Sequence, residues 1–156
     1  MRILFGLMLL GASSATWAQA VLPPFSISIT AEKSFVKAGS DVLIKIHLTN
    51  SSKRDLDASA NISGLTGVDP NYLYDVRDSG GNLVPKRVYE HPELATGHAV
   101  FRTVKAGESI TNVQNLSRLY DISQPGKYVI QVRRGVPGKA KDGAVESNKI
   151  TLTITP

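Results

Sequence analysis

The residues able to do chemistry in this 156-residue chain are few: three histidines, His47, His91 and His98, and no cysteine. Glu90-His91-Pro92-Glu93 with His98 is the densest grouping of metal-ligating side chains. Two imidazoles and two carboxylates on one loop are suitable donors for Zn²⁺ or a similar ion. Their spacing argues against a built site. His91 and His98 do not stand one helical turn apart, and Pro92 imposes irregular backbone between them, so the expectation is a solvated loop and no metal. Asp55-Leu56-Asp57, and Asp75 with Asp78, offer carboxylates without the spacing of a calcium loop. Nucleophilic catalysis needs a Ser, Thr or Cys beside a base and an orienting acid. The chain has no Gly-x-Ser-x-Gly, and its histidines fall at unrelated positions. Gly80-Gly81 reads as a hairpin, and Gly135-Val136-Pro137-Gly138-Lys139 opens no helix, so neither is a phosphate loop. No catalytic residue and no cofactor are expected, and the chain does not read as an enzyme.

Binding chemistry is better represented. Arg133, Arg134, Lys139 and Lys141 fall close together among Gly135, Pro137, Gly138 and Gly143. They read as a basic loop, residues 133–147, that meets a protein or another acidic surface. Each exposed ion pair contributes only about 0–1 kcal/mol. Affinity therefore needs several pairs together, or an aromatic anchor nearby. The alternative is a protease inhibitor that presents residues 134–147 or 64–71 to an enzyme. A metal-dependent enzyme built on His91 and His98 comes third. Strand addition at an exposed edge, such as one interrupted by Pro85, is a further mode of binding.

The elements that must position these residues are strands. Phe25-Ser26-Ile27-Ser28-Ile29-Thr30 alternates strictly, and Val42, Ile44, Ile46 and Leu48 repeat at spacing two after the turn Lys37-Ala38-Gly39-Ser40. Leu56, Ala58, Ala60 and Ile62 form a weaker run. Tyr72, Tyr74 and Val76 lead into the hairpin signal Asp78-Ser79-Gly80-Gly81-Asn82. Pro85 demotes the returning segment 83–89 to an edge or an irregular strand. Residues 98–104 and 108–116 read as short strands around Lys105-Ala106-Gly107, and Ile150, Leu152 and Ile154 mark the last strand.

The clearest stretch is Leu116 to Val132. It reads as a strand end, a corner at Tyr120-Asp121-Ile122-Ser123, a break at Gln124-Pro125-Gly126, and then an alternating strand. Tyr128, Ile130 and Val132 face a core. Tyr120 is the residue expected to fold under the corner and bond nearby backbone, as the tyrosine corner of sandwich folds does. Short strands, frequent turn signals and no helical periodicity define the expected fold class. It is all-β, an immunoglobulin-like antiparallel β-sandwich of Greek-key type.

Residues 1–20 stand apart from this pattern. Met1-Arg2, the apolar run Ile3 to Leu10 and the small-residue end Ala18-Gln19-Ala20 are the three parts of a secretory signal peptide cleaved after Ala20. Its apolar core is well short of the ~20 residues a membrane span needs, and no later segment is apolar enough. Residues 21–156 then form one domain. The whole chain carries a formal charge of +5, and removing Arg2 with the leader leaves +4. That mild excess falls short of the concentrated basic stripe of a nucleic-acid binder, so nucleic acid is not an expected partner. Export without cysteine fits a bacterial periplasmic or secreted protein, stabilised by a packed core rather than by disulfides.

A family resemblance rests on several of these segments in order. They are Asn50-Ser51-Ser52 after a strand, the hairpin Tyr74-Asp75-Val76-Arg77-Asp78-Ser79-Gly80-Gly81, and Lys105-Ala106-Gly107-Glu108-Ser109. Asn115-Leu116-Ser117-Arg118-Leu119-Tyr120-Asp121-Ile122-Ser123 and Pro125-Gly126-Lys127-Tyr128 follow. The chain resembles the immunoglobulin-like accessory domains of bacterial secreted proteins. It is similar to the sandwich that precedes the catalytic domain of deuterolysin-type metalloendopeptidases, and more loosely to sandwich proteinase inhibitors. The peptidase's His-Glu-x-x-His helix is absent here, so the resemblance implies no peptidase activity and carries over no functional residue. The expected function is an exported, non-catalytic binding or accessory module.

Overall fold

Phe25, Ile27 and Ile29 project from one side of β1 (Phe25–Ala31), and Ser26, Ser28 and Thr30 from the other. β3 (Leu43–Asn50) repeats the pattern with Ile44, Ile46 and Leu48 buried. The two strands pair antiparallel, with Ile27 opposite Leu48 and Ile29 opposite Ile46. β9 (Ser109–Asn115) pairs with the other edge of β3 and completes a three-stranded sheet. These features come from a computed structural model that describes residues 22–90, 96–136 and 143–156. The leader read over residues 1–20 lies outside the described residues.

The second sheet is built on β10 (Gly126–Gly135). β6 (Tyr72–Arg77) lies along one edge, and β11 (Ala144–Glu146) and β12 (Ile150–Thr155) share the other. Tyr128, Ile130 and Val132 are all buried, as their alternation requires, and meet Val76, Leu152, Ile154 and the inward residues of β1 and β3 in one core. Fully burying each such side chain contributes about 1.5–3 kcal/mol. The chain is therefore all-β: two main sheets share one hydrophobic centre, and the only helical element among the described residues is a single 3-10 turn.

Several local expectations change. The sheets are not purely antiparallel, because β2 (Phe35–Lys37) pairs parallel with β12. A three-residue strand is too short to show alternation, and only its turn, Lys37-Ala38-Gly39-Ser40, was legible. Residues Leu116–Arg118 form the 3-10 turn rather than a strand end. Asn115 caps it by accepting from the Ser117 N–H at 3.1 Å. The tyrosine that folds back onto its own upstream backbone is Tyr128, whose hydroxyl donates to the Gln124 carbonyl at 2.7 Å. Tyr120 is buried but reaches across the fold, donating to the Tyr74 carbonyl at 2.9 Å. The segment after the hairpin is irregular, as Pro85 dictates: it pairs through isolated bridges at Leu83 and Lys86, and its Arg87 and Tyr89 side chains donate to the Tyr120 and Arg118 carbonyls.

Two features govern the edges. The pairing of β10 with β12 slips by one residue before β11, because Ser147, Asn148 and Lys149 stand opposite only Gln131 and Val132. This bulge aims the Asn148 carboxamide at β1. There its oxygen accepts from the Ile29 N–H at 2.8 Å, and its nitrogen donates to the Ile29 carbonyl at 3.0 Å. Elsewhere, two short ladders form one ribbon. β4 (Leu56–Asp57) pairs with β8 (Thr103–Val104), and β5 (Ala60–Ile62) with β7 (His98–Val100), in the same register. Between them the Ala58 N–H still donates to the Arg102 carbonyl at 2.8 Å. The Arg102 N–H turns instead to the Ser59 hydroxyl, at 3.1 Å.

Candidate binding site

Strand alternation separates the cations that the sequence groups together. Arg133 and Arg134 sit on β10 itself, not in a loop, and neighbours on a strand point to opposite faces. Arg133 faces out, 3.6 Å from both Asp75 and Glu146, and Asp75 also takes Arg77 at 2.7 Å. Arg134 faces in and is only 6% exposed. Its guanidinium lies 3.5 Å from the Asp69 carboxylate and 4.7 Å from the centre of the Tyr72 ring. That is a buried ion pair with a cation–π contact, so Arg134 is a structural post and not a cation offered to a partner. The signal was present: extending Tyr128, Ile130 and Val132 by one step of two places Arg134 on the core side. Lys139 and Lys141 lie outside the described residues, as do His91, Pro92 and Glu93 of the histidine and carboxylate grouping.

The post is held from several sides. The Asn71 N–H donates to the Asp69 carboxylate at 2.9 Å. The Asn112 carboxamide reaches the Tyr72 hydroxyl from β9 at 3.4 Å. Burial raises the Tyr72 phenol above its ordinary range, and the Arg134 charge offsets part of that. Among the described residues the buried Tyr74 hydroxyl has no hydrogen-bond partner. Burial, then the nearby Asp69 carboxylate, push it well above the usual phenol range, so it stays neutral.

Above this post the surface is concave. A cleft of about 470 Å³ runs between Asp57, Ser59, Asn71 and the end of β10 at Gly135 and Val136. A second, of about 340 Å³, shares Ser59 and Asn71 with it and continues past Pro70 and Ala99 to Phe101. Phe101 is 85% exposed. Ser59 and Asn71 are fixed to each other, the Asn71 carboxamide donating to the Ser59 carbonyl at 3.1 Å. The Asp57 carboxylate accepts from the Ser59 N–H at 2.8 Å, and its hydrogen bonds to Ser59 hold it below the usual carboxylate range. The approach of loop 63–67 to Thr96 requires Gly64, because a Cβ there would stand 1.9 Å from the Thr96 carbonyl oxygen. Sequence reasoning missed Phe101, which sits where the ribbon's pairing lapses and no periodicity marks it.

Among the described residues, no group of three or more His, Asp or Glu side chains stands close enough to hold a metal ion. His47 is on the outer face of the first sheet, bonded to the Thr111 hydroxyl at 2.8 Å. Asp78 clips its own hairpin, accepting from the Gly80 and Asn82 N–H groups, each at 2.9 Å. Asn50, at the end of β3, is fully buried and donates to the Arg54 and Val104 carbonyls. No helix among the described residues is long and apolar enough to cross a membrane.

No family model matches the sequence, and no curated protein matches it. Among solved structures, the chain is similar to the alkylpurine DNA glycosylase AlkC of Pseudomonas fluorescens, in a complex with DNA containing an abasic site analogue. The identity is 13% and the TM-score 0.45, over 86% of this chain and 31% of that one. It is also similar to the sporulation control protein Spo0M of Bacillus subtilis, at 11% identity and a TM-score of 0.44, over 86% of this chain and 51% of that one. A β-glucosidase of Erythrobacter marinus matches at 13% identity and a TM-score of 0.45, over 84% of this chain and 15% of that one. The chain thus spans about half or less of each of these proteins.

Proposed function

We propose that this chain is an exported, non-catalytic binding or accessory module with an immunoglobulin-like Greek-key arrangement, and that it recognises a protein partner of acidic character. In this reading residues 1–20 direct export to the periplasm or beyond and are removed after Ala20. The observation that carries the binding role is the pair of joined clefts at the end of β10, with the exposed Phe101 ring at their rim. Exposed aromatic rings beside concave surface are what interfaces use as anchors. Lys139 and Lys141, which follow β10 in sequence, supply the charge that steers an acidic partner, while Arg133 is matched by Asp75 and Glu146. Arg134 serves by holding the floor of the cleft in place.

The test is affinity capture from native envelope extract with two variants. One carries Phe101→Ser, and the other carries Lys139→Gln and Lys141→Gln. Both are expected to lose the partner that the unaltered protein captures, with unchanged thermal melting. Retention of that partner by both variants overturns the assignment of this end as the binding site.

A further inference from the structure

We infer that the partner is bound by strand addition: an extended segment, apolar on one face and acidic on the other, pairs with the outer edge of residues 98–104. This rests on the binding-module reading and specifies its mode. In an antiparallel ladder, residues alternate between those that bond the partner strand and those whose N–H and C=O groups point away. The bond from Ala58 to Arg102 fixes the phase of the ribbon. His98, Val100, Arg102 and Val104 therefore turn their backbone groups towards residues 56–62. Ala99, Phe101 and Thr103 turn theirs outward, and among the described residues nothing pairs with them.

Edges of this kind are templates for another strand, and folds usually blunt them. Two other edges of this fold are closed by side chains. Asn148 occupies both backbone groups of Ile29 on β1, and Tyr120 occupies the Tyr74 carbonyl on β6. The 98–104 edge has no proline and no lysine, and it is exposed from His98 to Thr103 except at the half-buried Val100. Its two faces differ. Ala99 and Phe101 stand on the face that borders the cleft by Pro70 and Asn71, which suits apolar side chains of an added strand. His98 and Arg102 stand on the other, which they share with the half-buried Val100 and the buried Val104. The Arg102 guanidinium donates to the neutral Asn112 carboxamide, and no carboxylate pairs with it among the described residues. From Thr96 to Gly107 the chain holds Arg102 and Lys105 and no acid. The charge on that face therefore calls for carboxylates on the incoming segment.

The test titrates the full-length protein with a seven-residue peptide of alternating valine and glutamate, followed by amide NMR and hydrogen exchange. The expected result is shifts and slowed exchange at Ala99, Phe101 and Thr103. An alternating valine–lysine peptide should leave them unmoved, as should the valine–glutamate peptide N-methylated at alternate residues. Ala99→Pro deletes an outward N–H and no internal bond, so it should abolish binding. Asn61→Pro does the same on the opposite edge of the ribbon and should leave binding intact. Arg102→Glu should weaken binding roughly tenfold. Equal binding of the lysine peptide or of the N-methylated peptide, or shifts confined to other strands, overturns strand addition here. So does a dimer in sedimentation that Ala99→Pro dissociates, which would make the occupant a second copy. Neither of the first two outcomes touches the capture experiment above, so the binding module can survive the loss of this mode.

Discussion

Replacing Asn148 with alanine removes two hydrogen bonds from one backbone unit, and the consequence can be worked out from register alone. The Glu32 N–H donates to the Leu43 carbonyl, which sets the phase of the pairing between β1 and β3. Thr30 and Ser28 then bond β3, while Ile27 and Ile29 turn their N–H and C=O groups to the open edge. Asn148 takes both groups of Ile29, at 2.8 and 3.0 Å, and the Ile29 side chain is buried at this point. A typical hydrogen bond contributes about 0.5–1.5 kcal/mol net, and a stranded buried group costs about 1–3 kcal/mol. Asn148→Ala should therefore destabilise the fold by about 2 kcal/mol, or on the order of 5–10 °C in melting temperature for a domain of this size. Urea denaturation with an unchanged m-value gives the free energy. Native-state hydrogen exchange gives the location: Ile29 should be protected in the parent protein and lose that protection in the variant, while Ile44 and Ile46 are slowed less only in proportion to global stability. If Ile29 exchanges at the same rate in both proteins, or stability falls by less than about 0.5 kcal/mol, the bulge at Ser147–Lys149 does not close this edge.

Other perturbations separate neighbouring roles. Arg134→Met should destabilise by about 3–5 kcal/mol by stranding the Asp69 carboxylate, and Arg134→Met with Asp69→Leu should recover most of it, measured by urea denaturation. Tyr128→Phe should cost about 1 kcal/mol through loss of the bond to Gln124, and should loosen the exchange of the corner 124–128 without affecting Tyr74. Asp78 is held below its ordinary value of 3.8, chiefly by the hydrogen bond from the Asn82 N–H and then by the Asn82 side chain. Its folded-state value is the lower one, so its contribution is complete above about pH 4 and is lost as the pH falls through the folded value. Carboxyl titration by NMR should place its midpoint below that of an unstructured aspartate, and Asp78→Asn should remove this part of the acid sensitivity.

The strands of the core were legible because one physical rule, period two, acts on long runs of Ile, Leu and Val. Phe25 to Ile29, Val42 to Leu48 and Tyr128 to Val132 needed nothing more. Reading failed where a residue's role is set by a distant partner. Tyr120 and Tyr128 flank the same corner, and only the third dimension shows which one folds back locally and which reaches Tyr74. β2 gains its identity from a parallel neighbour more than a hundred positions away, at Thr153 to Thr155. For the candidate site, the charge of Arg133 and Arg134 was plain but their environment was not. Counting cations within a window treats adjacent residues as one surface, whereas a strand sends one to solvent and the other to Asp69.

The polar residues at the junctions of the fold share a role that extends this point. With no cysteine, the fold has no covalent link between its layers. Asn112 on β9 reaches Tyr72 on β6 across the interior, and Asn50 at the end of β3 holds the Val104 carbonyl of the ribbon. Asn148 ties the bulge to β1, and Arg134 ties β10 to the loop that leads into β6. Each sits at a junction between sheets or at the root of the ribbon, not in the middle of a sheet where apolar packing suffices. A disulfide typically contributes about 2–4 kcal/mol, chiefly through the unfolded chain. Three or four such polar ties reach a comparable total but act on the native state alone, and each demands one geometry. They therefore fix the relative placement of layers that a greasy interface would let slide. The clefts beside Phe101 stand directly over one of these ties, so the shape offered to a partner depends on Arg134 and Asp69 staying paired beneath it.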